Sequence, residues 1–249
     1  MAPLGETFRL LGLHLHLFTL ISLTVWLPGH LVRNYVEFFG PAEEVAPQSL
    51  KLLLAIQVVF EPLVVSATIV ALDRITQGLP VTYLGSMTAG LAAWGRLLLV
   101  RFVINCAVAL PALAGMAVLP ARAVGLAAGG LFAAVLVFML VLLLRYAVVD
   151  SVVVLEGATA LTAWRRAASL TAGRRWAIFR TAAALFALVL AFSLSTGQAL
   201  RAAPELNHFV VRVLLDCVLA VSQSVFTIAL FLFYRQARAD LPPASPAPA

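Results

Sequence analysis

The composition of this 249-residue chain excludes an ordinary soluble domain. Hydrophobic residues make up 63% of the chain and charged residues only 11%, whereas about a quarter of the residues in a soluble domain are charged. The formal net charge of +6 does not require a nucleic-acid partner, because arginines that set membrane topology give the same excess and no nucleic-acid-binding motif is present. We therefore predict an integral membrane protein.

Six apolar runs predict an all-α fold with six transmembrane helices. The runs cover residues 10–27, 52–72, 97–119, 124–149, 177–200 and 209–234. As a helix, each is long enough to cross roughly 30 Å of hydrocarbon. No small-residue cleavage site follows the first run, so we expect it to remain as an uncleaved helix. Residues 1–239 thus form one predicted transmembrane domain, and the proline-rich residues 240–249 a disordered cytoplasmic tail.

The distribution of basic residues predicts the orientation. If both termini are cytoplasmic, the inner side holds twelve basic residues and the outer side five. By the positive-inside rule, this count favours a multi-pass protein with cytoplasmic N- and C-termini. Sixteen arginines against one lysine indicate GC-rich codons, so we expect a bacterial plasma (inner) membrane. The basic inner side would also attract anionic membrane lipids.

The arginine-rich residues 152–180, "VVVLEGATALTAWRRAASLTAGRRWAIFR", predict an amphipathic cytoplasmic connector between the fourth and fifth spans. Glu156 and Gly157 end the fourth span, and Thr159 is placed to cap the next helix with its hydroxyl group. Gly173 is placed just past the end of that helix, where glycine tolerates a positive φ. We expect the helix between Thr159 and Gly173 to lie in the membrane interface.

This connector helix has two predicted sides at 100° per residue. The apolar side comprises Leu161, Trp164, Ala168 and Thr171, and Leu170 lies off it. The basic side is compatible with anchoring in lipid headgroups, or with docking of a phosphate-bearing lipid or an acidic protein partner. The candidate binding residues are Trp164, Arg165, Arg166, Arg174, Arg175, Trp176 and Arg180.

A shift of 79 residues indicates a faint internal repeat. Six identities fall within 24 aligned positions, among them the sparse pairs Gly78 and Gly157, Arg96 and Arg175, and Arg101 and Arg180. The shift also lays the second span over the fourth and the third over the fifth. The bundle would then contain two similar hairpins related by an axis along the membrane normal.

The pattern around the connector resembles a known family. An apolar span, "VVLEG", the basic stretch "ALTAWRRAASLTAGRRWAIF" and a further apolar span are similar to bacterial six-helix membrane proteins, which include the membrane domain that accompanies some glycerophosphodiester phosphodiesterases. The residues that fit approximately are Arg165, Arg166, Ser169, Leu170, Gly173, Arg174 and Trp176. The resemblance implies a membrane fold and no reaction, because the catalytic domain of those phosphodiesterases is a separate soluble barrel.

Polar side chains inside the predicted spans are functional candidates, because placing them in hydrocarbon is costly. They form three same-face pairs: Gln57 with Glu61, Arg101 with Asn105, and Asp216 with Gln223. Arg101 is expected near the inner end of its span, where it could reach water. Glu61 could pair with Arg101 or with Gln223. Three roles are compatible with these residues: interhelical hydrogen bonding, a transport or proton-relay path, or a lipid or partner site.

No catalytic group, metal site or cofactor is predicted. His14 and His16 point to different sides of a helix and so do not form a metal pair, and "SLSTGQ" at 193–198 does not match a nucleophile elbow. We predict a non-enzymatic accessory protein that binds lipid headgroups or a protein partner through its basic connectors. The alternative is a small transporter or channel-like protein with a polar path around Glu61. A water-accessible cavity reaching Glu61 would favour the transporter.

Overall fold

The described part of the chain is helical. The computed structural model describes residues 2–40, 42–118, 134, 137–138 and 140–240, with side chains for 4–40, 55–104, 106, 134, 137–138 and 140–240. Helix accounts for 90% of the structure, and no strand occurs among the described residues, which confirms the all-α class. Half of the predicted fourth span at 124–149 lies outside the described residues, as does the tail beyond Asp240.

Two helices, α1 (Ala2–Leu13) and α2 (Leu15–Phe39), form the N-terminal part. The predicted first span at 10–27 was wrong in its boundaries, because α2 begins at Leu15 and continues through Pro28 to Phe39. Proline is tolerated within a membrane helix when neighbouring groups compensate the lost hydrogen bond. Beyond it, an Arg33–Glu37 ion pair at 3.4 Å links successive turns and supports the helix.

Helices α3 (Ala42–Thr76) and α4 (Tyr83–Val118) form a long hairpin and pack extensively on each other. Gly78, with φ +70°, makes the turn that ends α3. Leu79 N–H donates to Arg74 O at 2.9 Å and so closes the helix end. The predicted third span at 97–119 was wrong in its start, because α4 already begins at Tyr83 and continues without a break.

The described residues of the C-terminal half form a helical segment at 140–146 and four further α-helices. Residues 140–146 are helical, followed by α5 (Val149–Glu156), α6 (Ala160–Thr171), α7 (Arg175–Ala202), a 3₁₀ turn (Pro204–Leu206) and α8 (Phe209–Ala239). Gly157 and Gly173 have φ values of +66° and +79°. Both predicted helix ends are therefore confirmed at the glycines that permit this backbone conformation.

Thr159 occupies the predicted N-cap position of α6 but makes a different contact. Its backbone is extended, as expected of an N-cap residue. Its Oγ1 lies 2.9 Å from Oγ1 of Thr162 and makes no side-chain hydrogen bond to the helix backbone. The predicted capping hydrogen bond was therefore wrong.

The buried face of helix α6 matches the predicted one only at Thr171. Its buried residues are Ala163, Ala167, Leu170 and Thr171, whereas Leu161 is 69% exposed. The small alanines let α6 pack closely on α5 and the core, so the buried face is set by protein contacts. The interfacial-helix prediction assumed that lipid alone would select the buried side.

Five described helical segments are long and apolar enough to cross a membrane. They are Leu15–Phe39, Ala55–Thr76, Tyr83–Ile104, Arg175–Ala202 and Phe209–Ala239. The last two contain the predicted fifth and sixth spans. Length and composition thus indicate a membrane-embedded protein.

The core lies where α2, α3 and α8 pack together. Phe18 of α2, Ile69 of α3 and Phe231 of α8 are each at most 1% exposed. Ser22 Oγ and Ser224 Oγ lie 3.2 Å apart and join α2 to α8 by a buried hydrogen bond. Apolar packing and an interhelical hydroxyl contact therefore hold the helices that surround the polar side chains.

The α3–α4 register is fixed by a close backbone approach at Gly90. A Cβ atom at this position would lie 2.7 Å from Cα of Ala67. Ser66 Oγ donates to Gly90 O at 2.9 Å, and Trp94 Nε1 donates to Val59 O at 2.7 Å. These contacts place the following turns of α4 opposite the middle of α3.

We expect Gly90→Ala to lower the free energy of unfolding by about 1–3 kcal/mol, because the added methyl group would meet the α3 backbone. Gly95→Ala is the matched control on the same helix, since nothing lies within 4 Å of its added Cβ; it should be neutral or slightly stabilising. Thermal unfolding of purified protein in detergent, followed by circular dichroism, measures both. Equal stability of the two variants would contradict the close approach.

Candidate functional site

Three charged side chains from three helices meet at Arg101. Its Nη1 donates to Oε1 of Glu61 at 2.5 Å, and its Nη2 donates to Oδ2 of Asp150 at 2.7 Å. Its Nε lies 3.4 Å from Oδ1 of Asp150, so two guanidinium nitrogens face that carboxylate. Charge-assisted contacts of this kind are stronger than neutral hydrogen bonds. Arg101 and Gln223 were the two predicted partners of Glu61, and Arg101 is the one that pairs with it. The Arg101 side chain was expected to reach water at the inner surface, but it is held by these two carboxylates instead.

The sequence-based interpretation missed Asp150. The predicted fourth span ended at Val149, one residue before it, so Asp150 was counted outside the membrane. It lies in the first turn of α5, with a side chain 20% exposed. The rule that selected Glu61, an acidic residue among apolar neighbours, would have found it in "YAVVDSVVV".

A cavity of about 400 Å³ reaches the Arg101 cluster. Its polar lining includes Glu61, Arg101, Asp150, Gln223 and Thr227. The indole of Trp26 and several apolar side chains complete the wall. Gln223 was predicted as a possible partner of Glu61, and it lies in the wall of the same cavity. The space expected beside Glu61 in a transporter is therefore present.

A second charged cluster surrounds Asp216 of α8. Its Oδ2 accepts hydrogen bonds from Arg33 Nη2 at 2.5 Å and from Asn34 Nδ2 at 2.7 Å. Arg33 Nε also lies 3.4 Å from Oε1 of Glu37. Arg33 had been assigned to an outer loop, and its role here follows from the extension of α2 beyond Pro28. The predicted intramembrane candidate Asp216 thus has partners on α2.

Some buried polar atoms at this second cluster have no hydrogen-bond partner within the described residues. They are Nε2 of His30, Oδ1 of Asn34 and Nε of Arg33, whose contact with Glu37 is an ion pair only. Buried polar atoms are nearly always satisfied by protein, water or ligand. This end of the bundle therefore offers donor and acceptor capacity to a water molecule or a polar solute.

A second cavity, of about 220 Å³, lies at the Asp216 cluster. It is lined by His30, Arg33, Gln57, Asp216 and Leu219, and also by Trp26, Ala220 and Gln223. The last three residues line the first cavity as well, so the two cavities adjoin. The predicted candidates Gln57, Glu61, Arg101, Asp216 and Gln223 thus line one or both of these neighbouring cavities. Asn105 lies in α4, but its side chain is outside the described part of the chain.

The basic connector residues are partly occupied by acidic partners. Arg166 Nε lies 3.3 Å from Oε2 of Glu156, whose Oε1 accepts a hydrogen bond from the Tyr234 hydroxyl at 3.0 Å. Arg174 forms an ion pair with Asp240 at the end of α8. These two arginines therefore connect α6 and α7 to other elements of the bundle.

The remaining connector candidates are more accessible. Arg165, Arg175 and Arg180 are exposed and have no partner among the described residues. Trp176 is 65% exposed and stacks on Phe179, with ring centroids 5.1 Å apart. Trp164 is half-buried beside Tyr146, and its Nε1 has no partner in the described part of the chain.

No family model, curated protein or solved structure matches the chain. The resemblance to the membrane domain associated with glycerophosphodiester phosphodiesterases therefore stays a prediction. Among the described residues, no group of three or more histidine, cysteine, aspartate or glutamate side chains could hold a metal ion. The site is defined by its own geometry, as two charged clusters that line neighbouring cavities.

We expect Arg101→Met to lower the free energy of unfolding by about 3 kcal/mol, because Glu61 and Asp150 would lose their shared counter-ion. Arg175→Met is the control, since Arg175 is exposed and has no described partner; it should change stability by less than about 0.5 kcal/mol. Thermal unfolding in detergent measures both.

Adding Glu61→Gln and Asp150→Asn to Arg101→Met should restore part of the lost stability, because no unpaired charge then remains. If Arg101→Met is as stable as Arg175→Met, the charge cluster contributes nothing to the fold.

Proposed function

We propose that this chain is a small membrane transporter or channel-like protein that moves a small cation along the path between Glu61 and Asp216. The observation that carries the proposal is the meeting of the two cavities at Trp26, Ala220 and Gln223. An accessory protein would be expected to have a filled core here, because protein interiors are close-packed. A polar path that joins two ionisable clusters inside an apolar bundle favours passage of a solute.

The charge of the path favours a positive solute. Each cluster sets one arginine against two carboxylates, with Arg101 facing Glu61 and Asp150, and Arg33 facing Asp216 and Glu37. One positive charge against two negative charges leaves a formal charge of −1 at each cluster when all groups are ionised. A cation between them would be attracted to both, whereas an anion would be repelled.

The predicted topology places the clusters at different depths. We include in the proposal six spans, cytoplasmic termini and a bacterial plasma membrane, supported by the twelve-to-five distribution of basic residues. In this orientation Arg33 and Asp216 lie toward the outer surface, and Asp150 lies toward the cytoplasm. The path would then cross the bundle from one side to the other.

The two-hairpin repeat is also part of the proposal. Gly78 and Gly157, which the 79-residue shift superposes, both end a helix with a positive φ near 70°. The hairpins differ after this turn, because α4 is continuous whereas a break at Gly173 separates α6 from α7. The repeat therefore extends to the turns and to the order of the elements, but not to the whole connector.

We expect proteoliposomes containing the protein to take up tetramethylammonium faster than protein-free liposomes, and Glu61→Gln to slow this uptake about tenfold, because the cluster would lose its excess negative charge. Glu205→Gln is the matched control, since Glu205 is exposed and lies in the 3₁₀ turn away from both cavities. Isotope-labelled tetramethylammonium measures uptake, and an entrapped pH-sensitive dye measures proton flux.

If neither tetramethylammonium uptake nor proton flux is faster than in protein-free liposomes, the transport proposal is wrong. If Glu61→Gln takes up tetramethylammonium as fast as the wild type, Glu61 is not part of the path.

Headgroup or partner binding by the connector is a second candidate function. A shallow depression on α6 is lined by Glu156, Thr162, Arg165, Arg166 and Ser169. Its arginines and hydroxyl groups are suited to a phosphate-bearing headgroup or an acidic partner. Because Glu156 already pairs with Arg166, Arg165 would make the first contact with such a ligand. Anchoring of the connector in anionic lipid requires the same surface.

We expect Arg165→Glu/Arg166→Glu to insert correctly but to bind anionic vesicles at least about tenfold more weakly, because each arginine near an anionic surface contributes roughly 1 kcal/mol. Arg235→Glu is the control, because Arg235 is exposed on α8 outside the depression. Detergent-solubilised protein and phosphatidylglycerol vesicles in a flotation assay test the binding. Misinsertion of the double variant would instead indicate that these arginines set topology.

A further inference from the structure

A third cavity, of about 330 Å³, adjoins the polar path on its apolar side. It lies between residues 140–144 and helices α7 and α8. Its walls include Leu140, Leu144, Ala183, Leu185 and Phe233, and Thr181 supplies its only hydroxyl group among the described residues. Such a lining offers contacts to a hydrocarbon group and almost no hydrogen bonds.

This apolar cavity adjoins the cavity at Arg101, because Leu143, Phe186, Phe226 and Leu230 line both of them. The charged side chains of Glu61, Arg101 and Asp150 therefore lie on one side of these four residues, and a hydrocarbon-lined space lies on the other. At about 400 and 330 Å³, the two parts lie in the size range of sites for organic molecules. A bare metal ion or a proton would not need the apolar part.

The polar end is suited to an organic ammonium group. Arg101 is already engaged by Glu61 and Asp150, so an anionic headgroup would have to compete with both carboxylates for it. The spare negative charge instead attracts a cation. The rings of Trp26 and Phe226 in the same wall can bind the face of a quaternary ammonium ion through cation–π contacts.

We propose that the substrate of this path is an amphiphilic organic cation, with its ammonium group beside Glu61 and Asp150 and its hydrocarbon chain in the apolar cavity. This inference rests on the proposed transport function and names its substrate class. The charge of the cluster selects the ammonium head, and the apolar cavity beside it favours a molecule with one apolar tail. The four shared residues mark the place where head and tail join.

Octyltrimethylammonium and tetramethylammonium test the inference directly, since they share a headgroup and differ in the tail. The protein is placed in nanodiscs, and equilibrium binding of each isotope-labelled probe is measured with empty nanodiscs subtracted. We expect octyltrimethylammonium to bind at least about tenfold more tightly than tetramethylammonium, because several methylene groups become buried. Octyl sulfate, which has the same chain and the opposite charge, should bind at least about tenfold more weakly than octyltrimethylammonium.

Two variants separate a tail site from general partition into lipid. Ala183→Trp places an indole in the apolar cavity and should weaken octyltrimethylammonium binding about tenfold more than tetramethylammonium binding. Ala184→Trp is the matched control, because Ala184 is the next residue on α7, is exposed and does not line the cavity; it should bind both probes like the wild type. Both alanines are described helix positions, and circular dichroism verifies that each variant is folded.

The outcomes distinguish the two proposals. If tetramethylammonium is taken up but the octyl chain adds no affinity, or Ala183→Trp behaves like Ala184→Trp, the path serves a small cation and the amphiphile inference is wrong. If octyl sulfate binds as well as octyltrimethylammonium, the cavity selects only the tail, which also overturns the inference. If neither cation binds or is taken up, and proton flux is also no faster than in protein-free liposomes, the transport proposal itself fails.

Discussion

The pairing of Arg101 with two carboxylates from different helices is the interaction on which the rest of the site depends. Glu61 comes from α3 and Asp150 from α5, and the contacts of 2.5 and 2.7 Å require all three backbones to be correctly placed. Charges taken out of water are tolerated only when good geometry compensates their lost hydration. The cluster therefore connects the two halves of the chain and positions the wall of the central cavity.

The α3–α4 contact makes this pairing geometrically accessible. At Gly90 the absence of a side chain lets α4 approach the backbone of α3, and the Trp94 indole then reaches the carbonyl of Val59. Arg101 lies two helical turns beyond Trp94, and Pro62 directly follows Glu61 on the facing helix. The register of α3 and α4 thus determines both the close packing at Gly90 and the pairing of Glu61 with Arg101. Both kinds of contact are common between membrane helices, because lipid provides no hydrophobic driving force for helix association.

The sequence predicted the features that depend on local chemistry. Gly157 and Gly173 ended helices as expected, because a positive φ is a property of the residue itself. Long apolar runs located the last two described spans, since hydropathy is summed along the chain. Arg33 was missed because its role depends on where α2 continues and on which neighbour it meets. Asp150 was missed because the predicted fourth span ended one residue before it. Likewise, the buried face of α6 is set by its contacts with α5, and helical periodicity carries no information about such contacts.

The arrangement of charges also bears on the proposed transport. In each cluster one arginine neutralises the charge of one carboxylate, and the charge of the second carboxylate is not neutralised. The folded protein therefore retains a net negative charge at each cluster, in a low-dielectric surrounding. A bound cation would complete this balance at either cluster, and the shared side chain of Gln223 lies between them. Because the excess charge is similar at both ends, a cation that leaves one cluster meets comparable attraction at the other. Two similar, incompletely neutralised sites would therefore allow a solute to pass without being held permanently at either one.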